Sequence, residues 1–442
     1  MVKHSLPSTT YHLPPTTYVL FSASLCLCGE LSGLVLLACV LSCDAAETVP
    51  LAARLDAALA RSAQFMVSKQ KPDGTWRSET YGALKHSADL TPLVMSCLFF
   101  LPQGGEPAKS AFLKGEEFLL GTVTPEGTLN ARAEEFVYPV YTGASVCRMA
   151  ALREKDEPHL RAQRAWLKAV LARRLSRELG WTPGDPQFGG WGFSLDPPRK
   201  PAPGEGAQTF CESNLSATLF GLAALRSAKV PATDSAYAEI LIFVRRCQNF
   251  SGDPALADPA CDDGGFFFIP NDELQNKAGA AGRDRHGKVR FHSYGTMTAD
   301  GLRALMRRGL SAEEPCVAAA RRWLERNFDA AHNPGVFAKE REELRDSTYY
   351  YWTWAVAHAF QSLRVRTIET RGEGASGRTD WSVALAEELL RRQRHDGAWS
   401  NRFTDAKEDD PLIATPWAAS ALAICRAVLT GDDLTLFPRP AP

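Results

Sequence analysis

The 442-residue sequence has no excess of charge of either sign and no Cys-x-x-Cys motif. It carries 50 Lys and Arg against 51 Asp and Glu, for a formal net charge of −1 at pH 7. Because no sequence-wide basic field is present to attract phosphates, we expect no nucleic-acid partner. Of the 11 cysteines, four lie in the first 46 residues and the other seven are widely spaced along the rest of the chain. This spacing argues against a cysteine zinc site and against a dense disulfide framework.

Charge is also scarce at the start of the chain. The apolar run Leu31–Cys43 is too short to span a bilayer and is followed by small residues that suit signal-peptidase cleavage near Ala45 or Ala46. Lipidation of Cys39 or Cys43, or an uncleaved anchor, would explain the same pattern. We therefore predict that residues 1–46 form a signal peptide or a membrane-anchoring leader. The chain is then exported, and it meets a membrane only through this leader.

A Gly-containing turn that ends in an aromatic or apolar residue recurs six times in the rest of the chain. The spacings between successive turns are 53, 63, 75, 70 and 62 residues, measured between Gly74, Gly127, Gly190, Gly265, Gly335 and Gly397. A roughly constant period indicates one structural unit with connections of variable length. We therefore predict that residues 47–442 form a single domain of six repeats.

Each turn lies between two kinds of helix. An amphipathic stretch precedes it, as in Asp380–Arg394, and a stretch with few charges follows it, as in Leu215–Leu222. Buried helices in an inner ring and amphipathic helices in an outer ring would satisfy both patterns. We therefore predict an all-α fold, an (α/α)6 toroid. An open solenoid is the alternative, and the long repeat period disfavours it.

Two of the turns have the form Gln-x-x-x-Gly-x-Trp, at Gln70–Trp76 and Gln393–Trp399. With the helical pairs around them, they resemble the repeats of squalene/hopene cyclases and of protein prenyltransferase β-subunits. The resemblance covers about residues 52–430 and implies the α/α toroid fold. Such motifs specify a fold and not an activity.

The resemblance also implies which residues a member of that superfamily needs for catalysis, so the matching positions can be compared. Cyclases begin with Asp-x-Asp-Asp-Thr-Ala at the head of an inner helix, where the middle carboxylic acid protonates the substrate. The corresponding segment is Glu212–Ala217, with Asn214 at the position of the proton donor and Glu212 as a displaced carboxylate. An amide supplies no strongly acidic proton, so this difference argues against ordinary cyclisation.

Prenyltransferases need zinc bound by Asp-x-Cys and by a histidine at a later helix head. The matching positions keep Asp346 but replace the cysteine by Thr348 and the histidine by Ala414. One ligand of the set does not hold zinc. We therefore expect no metal site and no other cofactor.

The remaining candidates lie where the heads of the inner helices would meet. If the chain is an enzyme, Glu212 and Asp346 are the alternative acids, and His292 is a general acid or base beside them. His358 lies within an apolar helical pattern and is predicted to be a core residue. The aromatic run from Tyr349 predicts a wall around an apolar or cationic ligand. The predicted cavity-lining residues are Tyr138, Tyr141, Asn214, Tyr294, Tyr349, Tyr350, Tyr351, Trp354 and Trp417.

Two classes of function remain open on these grounds. The first is a toroid that binds an elongated apolar molecule or lipid, isoprenoid-like in shape, or a protein partner in its central cavity, without the chemistry of the family. The second is a divergent terpenoid cyclase or prenyl-processing enzyme that uses a non-standard carboxylic acid. Repeats retained without either catalytic set favour the first class. Convergence of Glu212, His292 and Asp346 in an enclosed cavity would favour the second.

Overall fold

A computed structural model of the chain describes residues 49–153, 156–202, 204–206, 211–252, 257–285, 287–372, 375–432 and 435–436. The predicted leader, residues 1–46, lies outside the described residues. Within those ranges the long helices alternate along the chain between an outer and an inner layer, as the repeated pattern predicts.

The odd-numbered helices form the outer layer: α1 (Leu51–Ser68), α3 (Gly105–Leu120), α5 (Glu157–Leu171), α7 (Ser235–Arg246), α9 (Pro315–Asn327) and α11 (Trp381–Arg392). The even-numbered helices form the inner layer: α2 (Leu90–Leu98), α4 (Pro139–Leu152), α6 (Leu215–Ser227), α8 (Gly295–Arg308), α10 (Tyr349–Leu363) and α12 (Pro411–Thr430). The connections contain one short helical turn, Gly82–Lys85, and four 3-10 segments, Pro102–Gly104, Ala131–Glu135, Arg177–Leu179 and Lys339–Thr348.

The inner helices close into a ring. Each packs against the next in chain order from α2 to α12, and α12 packs back against α2. The outer helix α1 also packs on α12, so the first and last helices are joined. The predicted all-α toroid is therefore confirmed, and the open solenoid is excluded.

Burial explains the two layers. In the outer helix α5, Ala162, Trp166 and Val170 are buried while Arg164 and Lys168 are exposed, so one apolar stripe faces the ring. Within the described residues, α12 is long and apolar enough to cross a membrane by length and composition alone. Its packing against α1, α2, α10 and α11 accounts for that composition as a core helix.

The turn Gln70–Trp76 shows how one repeat is fastened to the next. Gly74 has a φ of +86°, and a Cβ there would lie 2.6 Å from a carbonyl oxygen of α3, so the turn requires glycine. The Gln70 Nε2 donates to the carbonyl of Gly74 (3.0 Å) and to that of Ala111 in α3 (2.7 Å). Trp76 is fully buried between the helices. The glutamine therefore ties its own turn to the following outer helix.

The same contact closes the outer layer. Gln393 donates from Nε2 to the carbonyl of Gly397 (3.0 Å) and to that of Ala58 in α1 (2.9 Å). Gln248 makes the equivalent pair of hydrogen bonds, to Gly264 and Cys316, although its turn carries no tryptophan. In each of these three turns, the side-chain amide of a glutamine therefore links one repeat to its neighbour.

Two antiparallel hairpins lie in the connections. Strands β1 (Ala280–Arg283) and β2 (Val289–Phe291) pair between α7 and α8, with Ala280 opposite Phe291. Strands β3 (Thr367–Gly372) and β4 (Ala375–Asp380) pair between α10 and α11, with Thr367 opposite Asp380. They leave the helical ring uninterrupted.

Candidate binding cavity

A cavity of about 420 Å³ lies inside the ring and is lined by residues of all six inner helices. Small side chains such as Ala144, Ser145 and Ala223 leave the space, because an inner ring of six helices cannot be filled by residues of that size. The cavity runs from Asp89 and Tyr138, beside the helix N-termini, to Arg307 and Gln361, beside the helix C-termini. We call these two ends the head end and the tail end.

Aromatic rings form a continuous wall along the cavity. The ring centroids of Tyr141 and Phe220 are 4.5 Å apart, and those of Phe220 and Trp354 are 6.0 Å apart in a stacked arrangement. Trp354 in turn lies 4.6 Å from Trp417, and Phe193 stacks on Tyr141 at 6.2 Å. Because the rings brace one another, the wall is preformed for an apolar molecule.

Four of the nine predicted lining residues lie on the cavity: Tyr138, Tyr141, Trp354 and Trp417. Asn214 does not, because it is 1% exposed and its Oδ1 accepts from the Ala217 N–H (2.8 Å), which caps α6. The amide at the position of the cyclase acid is thus engaged in holding a helix end.

The other four tyrosines are not among the residues that line the cavity. Tyr349 donates to the carbonyl of Ala330 (2.7 Å), and Tyr350 donates to that of Ser400 (3.3 Å), so both hydroxyls reach loops outside the cavity lining. Tyr294 is buried against Phe337. Tyr351 stacks on Trp354 from outside the lining, with ring centroids 5.3 Å apart. These residues contribute packing and hydrogen bonds to the ring, in place of the predicted cavity surface.

The three predicted catalytic residues are also absent from the cavity lining. Asp346 accepts hydrogen bonds from the His332 Nδ1 (2.6 Å) and the Asn333 N–H (3.0 Å). Burial lowers the pKa of His292. Within the described residues, no hydrogen bond or ion pair joins any two of Glu212, His292 and Asp346. Their catalytic role stays a prediction, without the convergence that would favour it.

Carboxylates at the head end cap neighbouring inner helices. Asp89 accepts from the N–H groups of Val137 (2.8 Å) and Tyr138 (2.9 Å), at the start of α4. Glu408 accepts from those of Tyr350 and Tyr351, both at 2.8 Å, at the start of α10. Burial raises the pKa of Glu408 to about 8, and it also raises the pKa of Asp89. The acids at this end are therefore occupied by the backbone.

Cations gather at the tail end. Arg148 of α4, Arg307 of α8 and His358 of α10 all line the cavity. Among the described residues, no carboxylate lies within ion-pair distance of Arg148 or Arg307. Burial and the guanidinium of Arg303 lower the pKa of Arg148 to about 10 and that of Arg307 to about 9. Burial and the three arginines hold the pKa of His358 well below its usual range, so its imidazole is neutral.

Arg303 and Asp300 lie behind these three cavity-lining side chains. Arg303 is 2% exposed, stands 4.1 Å over the ring of Trp354, and pairs with Asp300 at 3.2 Å. Its Nη2 has no hydrogen-bond partner in the described part of the chain. Asp300 accepts further hydrogen bonds from Tyr351 (2.7 Å) and Ser216 (3.0 Å), and burial raises its pKa. We call Arg148, Arg303, Arg307 and His358 the tail cluster.

The tail cluster is not apparent from the sequence pattern. His358 was predicted to be a core residue, and the structure places it on the cavity instead. The available signal was a charge inside an otherwise apolar inner helix: Arg303 and Arg307 are four residues apart and therefore share one face of α8. Phe220 lacks such a signal, because an aromatic residue in a buried helix is equally typical of a core. Phe193 lies in the connection before α6, where no helical pattern shows which way its ring faces.

No protein-family model matches this sequence, and no curated protein matches it. Among solved structures, the chain is similar to the type II terpene cyclase MstE from Scytonema in complex with geranylgeranyl dihydroxybenzoate, at 13% identity and a TM-score of 0.48, over 86% of this chain and 99% of that one. A protein from Actinoplanes is 18% identical over 85% of this chain and 100% of that one, with a TM-score of 0.45. The GH76A α-1,6-mannanase from a Salegentibacter species is 10% identical over 85% of this chain and 99% of that one, with a TM-score of 0.46.

The closed ring of this chain rests on its own helix contacts, described above. Those contacts and the Gln-Gly-Trp turns agree with the toroid fold that the sequence resemblance implies.

Proposed function

We propose that this protein binds an elongated, largely apolar small molecule of isoprenoid-like shape in the cavity of the ring, without the chemistry of cyclases or prenyltransferases. The observation that carries the proposal is the continuous aromatic wall around a cavity of about 420 Å³. Burial of an apolar chain against such a wall contributes roughly 25 cal/mol per Å². The capping role of Asn214 supports a binding function over protonation of a substrate.

The test is calorimetric titration of the full chain with farnesol, a neutral linear isoprenoid alcohol. Ala223 lines the cavity, so Ala223→Trp would fill part of it. We expect this variant to lose at least about tenfold in affinity while keeping its helical circular dichroism.

The matched control is Ala232→Trp, which adds the same side chain at an exposed position before α7. This control should bind farnesol like the parent protein. Equal affinity of both variants would place the ligand outside the cavity and contradict the proposal. Failure of the parent to bind farnesol would also contradict it and would favour the alternative of a protein partner.

One observation favours the second candidate, a divergent terpenoid cyclase with a non-standard acid. Asp300 is a fully buried carboxyl group whose pKa is raised by burial, one residue layer behind Trp354. Against it, Asp300 is paired with Arg303 and does not line the cavity.

The cyclase candidate predicts turnover. The full chain, incubated with linear polyprenyl substrates, would release cyclic isomers of unchanged mass, detected by gas chromatography with mass spectrometry. Asp300→Asn would abolish them, and parallel variants of Glu212, His292 and Asp346 would show whether one of those acts instead. Recovery of unchanged substrate would contradict this candidate.

A further inference from the structure

The cavity is electrically uneven. Its charged lining residues are Asp89, Arg148, Arg307 and Lys407. The carboxylate of Asp89 is engaged by two backbone N–H groups at the head end. At the tail end, Arg148 and Arg307 face the same space with no carboxylate within ion-pair distance in the described chain. An apolar ligand alone would leave these guanidiniums buried and unpaired.

Arg303 adds to the imbalance without touching the cavity. Its charge is shared with Asp300, which is the carboxylate nearest to the tail cluster among the described residues. Three guanidiniums therefore face one carboxylate, and His358 adds a neutral imidazole that can donate an N–H. Arg148 and Arg307 are half-buried beside the cavity, and a ligand that fills the cavity would remove them from water. An anionic group on that ligand would offset the cost of burying the two charges.

Helix C-termini do not account for the cluster. Carbonyl groups at a helix C-terminus favour cations in the last turn, but Arg307 donates instead to the carbonyl of Leu219, within α6, at 3.5 Å. The next residue, Arg308, lies in the same last turn of α8 but outside the cavity lining, where it donates to the Tyr237 carbonyl of α7 at 2.9 Å. A cation inside the ring is not needed for that purpose.

We propose that the ligand carries an anionic oxygen head group, a carboxylate or a phosphate ester, which Arg148 and Arg307 bind directly at the tail end while its apolar body lies along the aromatic wall. This inference rests on the proposed function, because the same cavity holds both parts of the ligand. Guanidinium groups suit both head groups, since they donate two parallel hydrogen bonds to paired oxygens. The excess of cations favours a doubly charged phosphate over a carboxylate.

The test compares three molecules with one apolar body: farnesol, farnesoic acid and farnesyl monophosphate, titrated into the full chain by calorimetry. We expect each anion to bind at least about tenfold more tightly than farnesol, and the phosphate most tightly. In Arg307→Gln that preference should fall by about tenfold, while the affinity for farnesol stays within about twofold. Arg308→Gln is the matched control and should keep the full preference, since it removes the same charge outside the cavity.

The outcomes separate the two proposals. Binding of farnesol without preference for either anion overturns the head-group inference and leaves the apolar cavity intact. A preference that Arg307→Gln and Arg308→Gln reduce equally also overturns it, because the anion would then respond to surface charge. No binding of any of the three molecules overturns both proposals. A preference that persists at high salt and disappears only in Arg307→Gln supports the inference.

Discussion

The two ends of the inner ring hold ionisable groups of opposite kind, carboxyl groups at the head end and guanidiniums at the tail end, and only the first are all paired within the described chain. At the head end, Asp89 and Glu408 are each engaged by two backbone N–H groups of a neighbouring helix. At the tail end, Arg148 and Arg307 have no carboxylate partner in the described chain. The two carboxyl groups of the head end are thus explained by folding. We expect the two arginines of the tail end to lower stability, which would point to a use beyond folding.

The largest effect should come from removing a head-end cap. Glu408→Ala leaves the N–H groups of Tyr350 and Tyr351 buried without acceptors, and we expect a loss of about 3 kcal/mol in the free energy of unfolding. Urea denaturation followed by circular dichroism measures it. Glu273→Ala, at an exposed carboxylate, should change stability by no more than about 0.5 kcal/mol. Similar losses in both variants would remove the distinction between the two ends.

The pH dependence of stability tests the same carboxyl group. The folded pKa of Glu408 is about 8, above its ordinary value of 4.5, so the folded state holds this proton more tightly than the unfolded chain. Its contribution is complete below pH 4.5 and is lost as the pH rises through 8. Glu408→Gln, which is neutral and keeps one acceptor oxygen, should cost about 1 kcal/mol and flatten this dependence. If the free energy of unfolding of the parent protein rose between pH 5 and 8 relative to that of Glu408→Gln, the raised pKa of Glu408 would be contradicted.

Removing a charged side chain from the tail end should raise the stability of the protein, in contrast to the loss expected at the head end. In the unliganded protein, Arg307→Gln removes repulsion from Arg148 and Arg303, so we expect the free energy of unfolding to rise by about 1 kcal/mol. Arg308→Gln should not stabilise, because it loses the hydrogen bond to the Tyr237 carbonyl. Differential scanning calorimetry compares the two. Destabilisation by Arg307→Gln would show that its charge is already compensated.

The smallest effect concerns His358. Because burial and the three arginines hold the pKa of His358 well below its usual range, the imidazole should remain neutral in the unliganded protein where an exposed histidine titrates. Two-dimensional NMR of the histidine rings would record this as constant shifts. An anionic ligand should raise the pKa and restore a titration, whereas farnesol should not. Titration of His358 near its ordinary pKa without a ligand would mean that the cluster is hydrated.

The fold could be predicted from the sequence because its signal is repeated. Spacing and the contrast between amphipathic and apolar stretches located both layers, and the residual errors are at ends. The outer stretch predicted over Asp380–Arg394 is helical over Trp381–Arg392, and Gln393 leaves the helix to donate to the Ala58 carbonyl in α1. Such an end depends on a contact with another repeat, which local periodicity does not contain.

The site was less predictable, because the sequence does not show how each inner helix is rotated about its own axis. A helix that is buried around most of its circumference gives no amphipathic signal to show which side faces the centre of the ring. Tyr350 and Trp354 belong to the same helix, yet Tyr350 reaches the Ser400 carbonyl and Trp354 lines the cavity. The arginines of the tail cluster were missed because charge was assigned to the outer layer.

The joint between α1 and α12 has a consequence for how the chain is made. Gln393 reaches Ala58, Arg54 pairs with Glu387 at 2.7 Å, and Arg426 pairs with Asp56 at 3.1 Å. Helix α1 also packs against α3 and the Pro102–Gly104 turn, which are made early, but its contacts with α11 and α12 must wait for much later segments. Part of its apolar stripe therefore stays uncovered until α12 has been made. A ribosome stalled before Pro411 would hold a nascent chain that lacks its final inner helix and is a natural client for a chaperone.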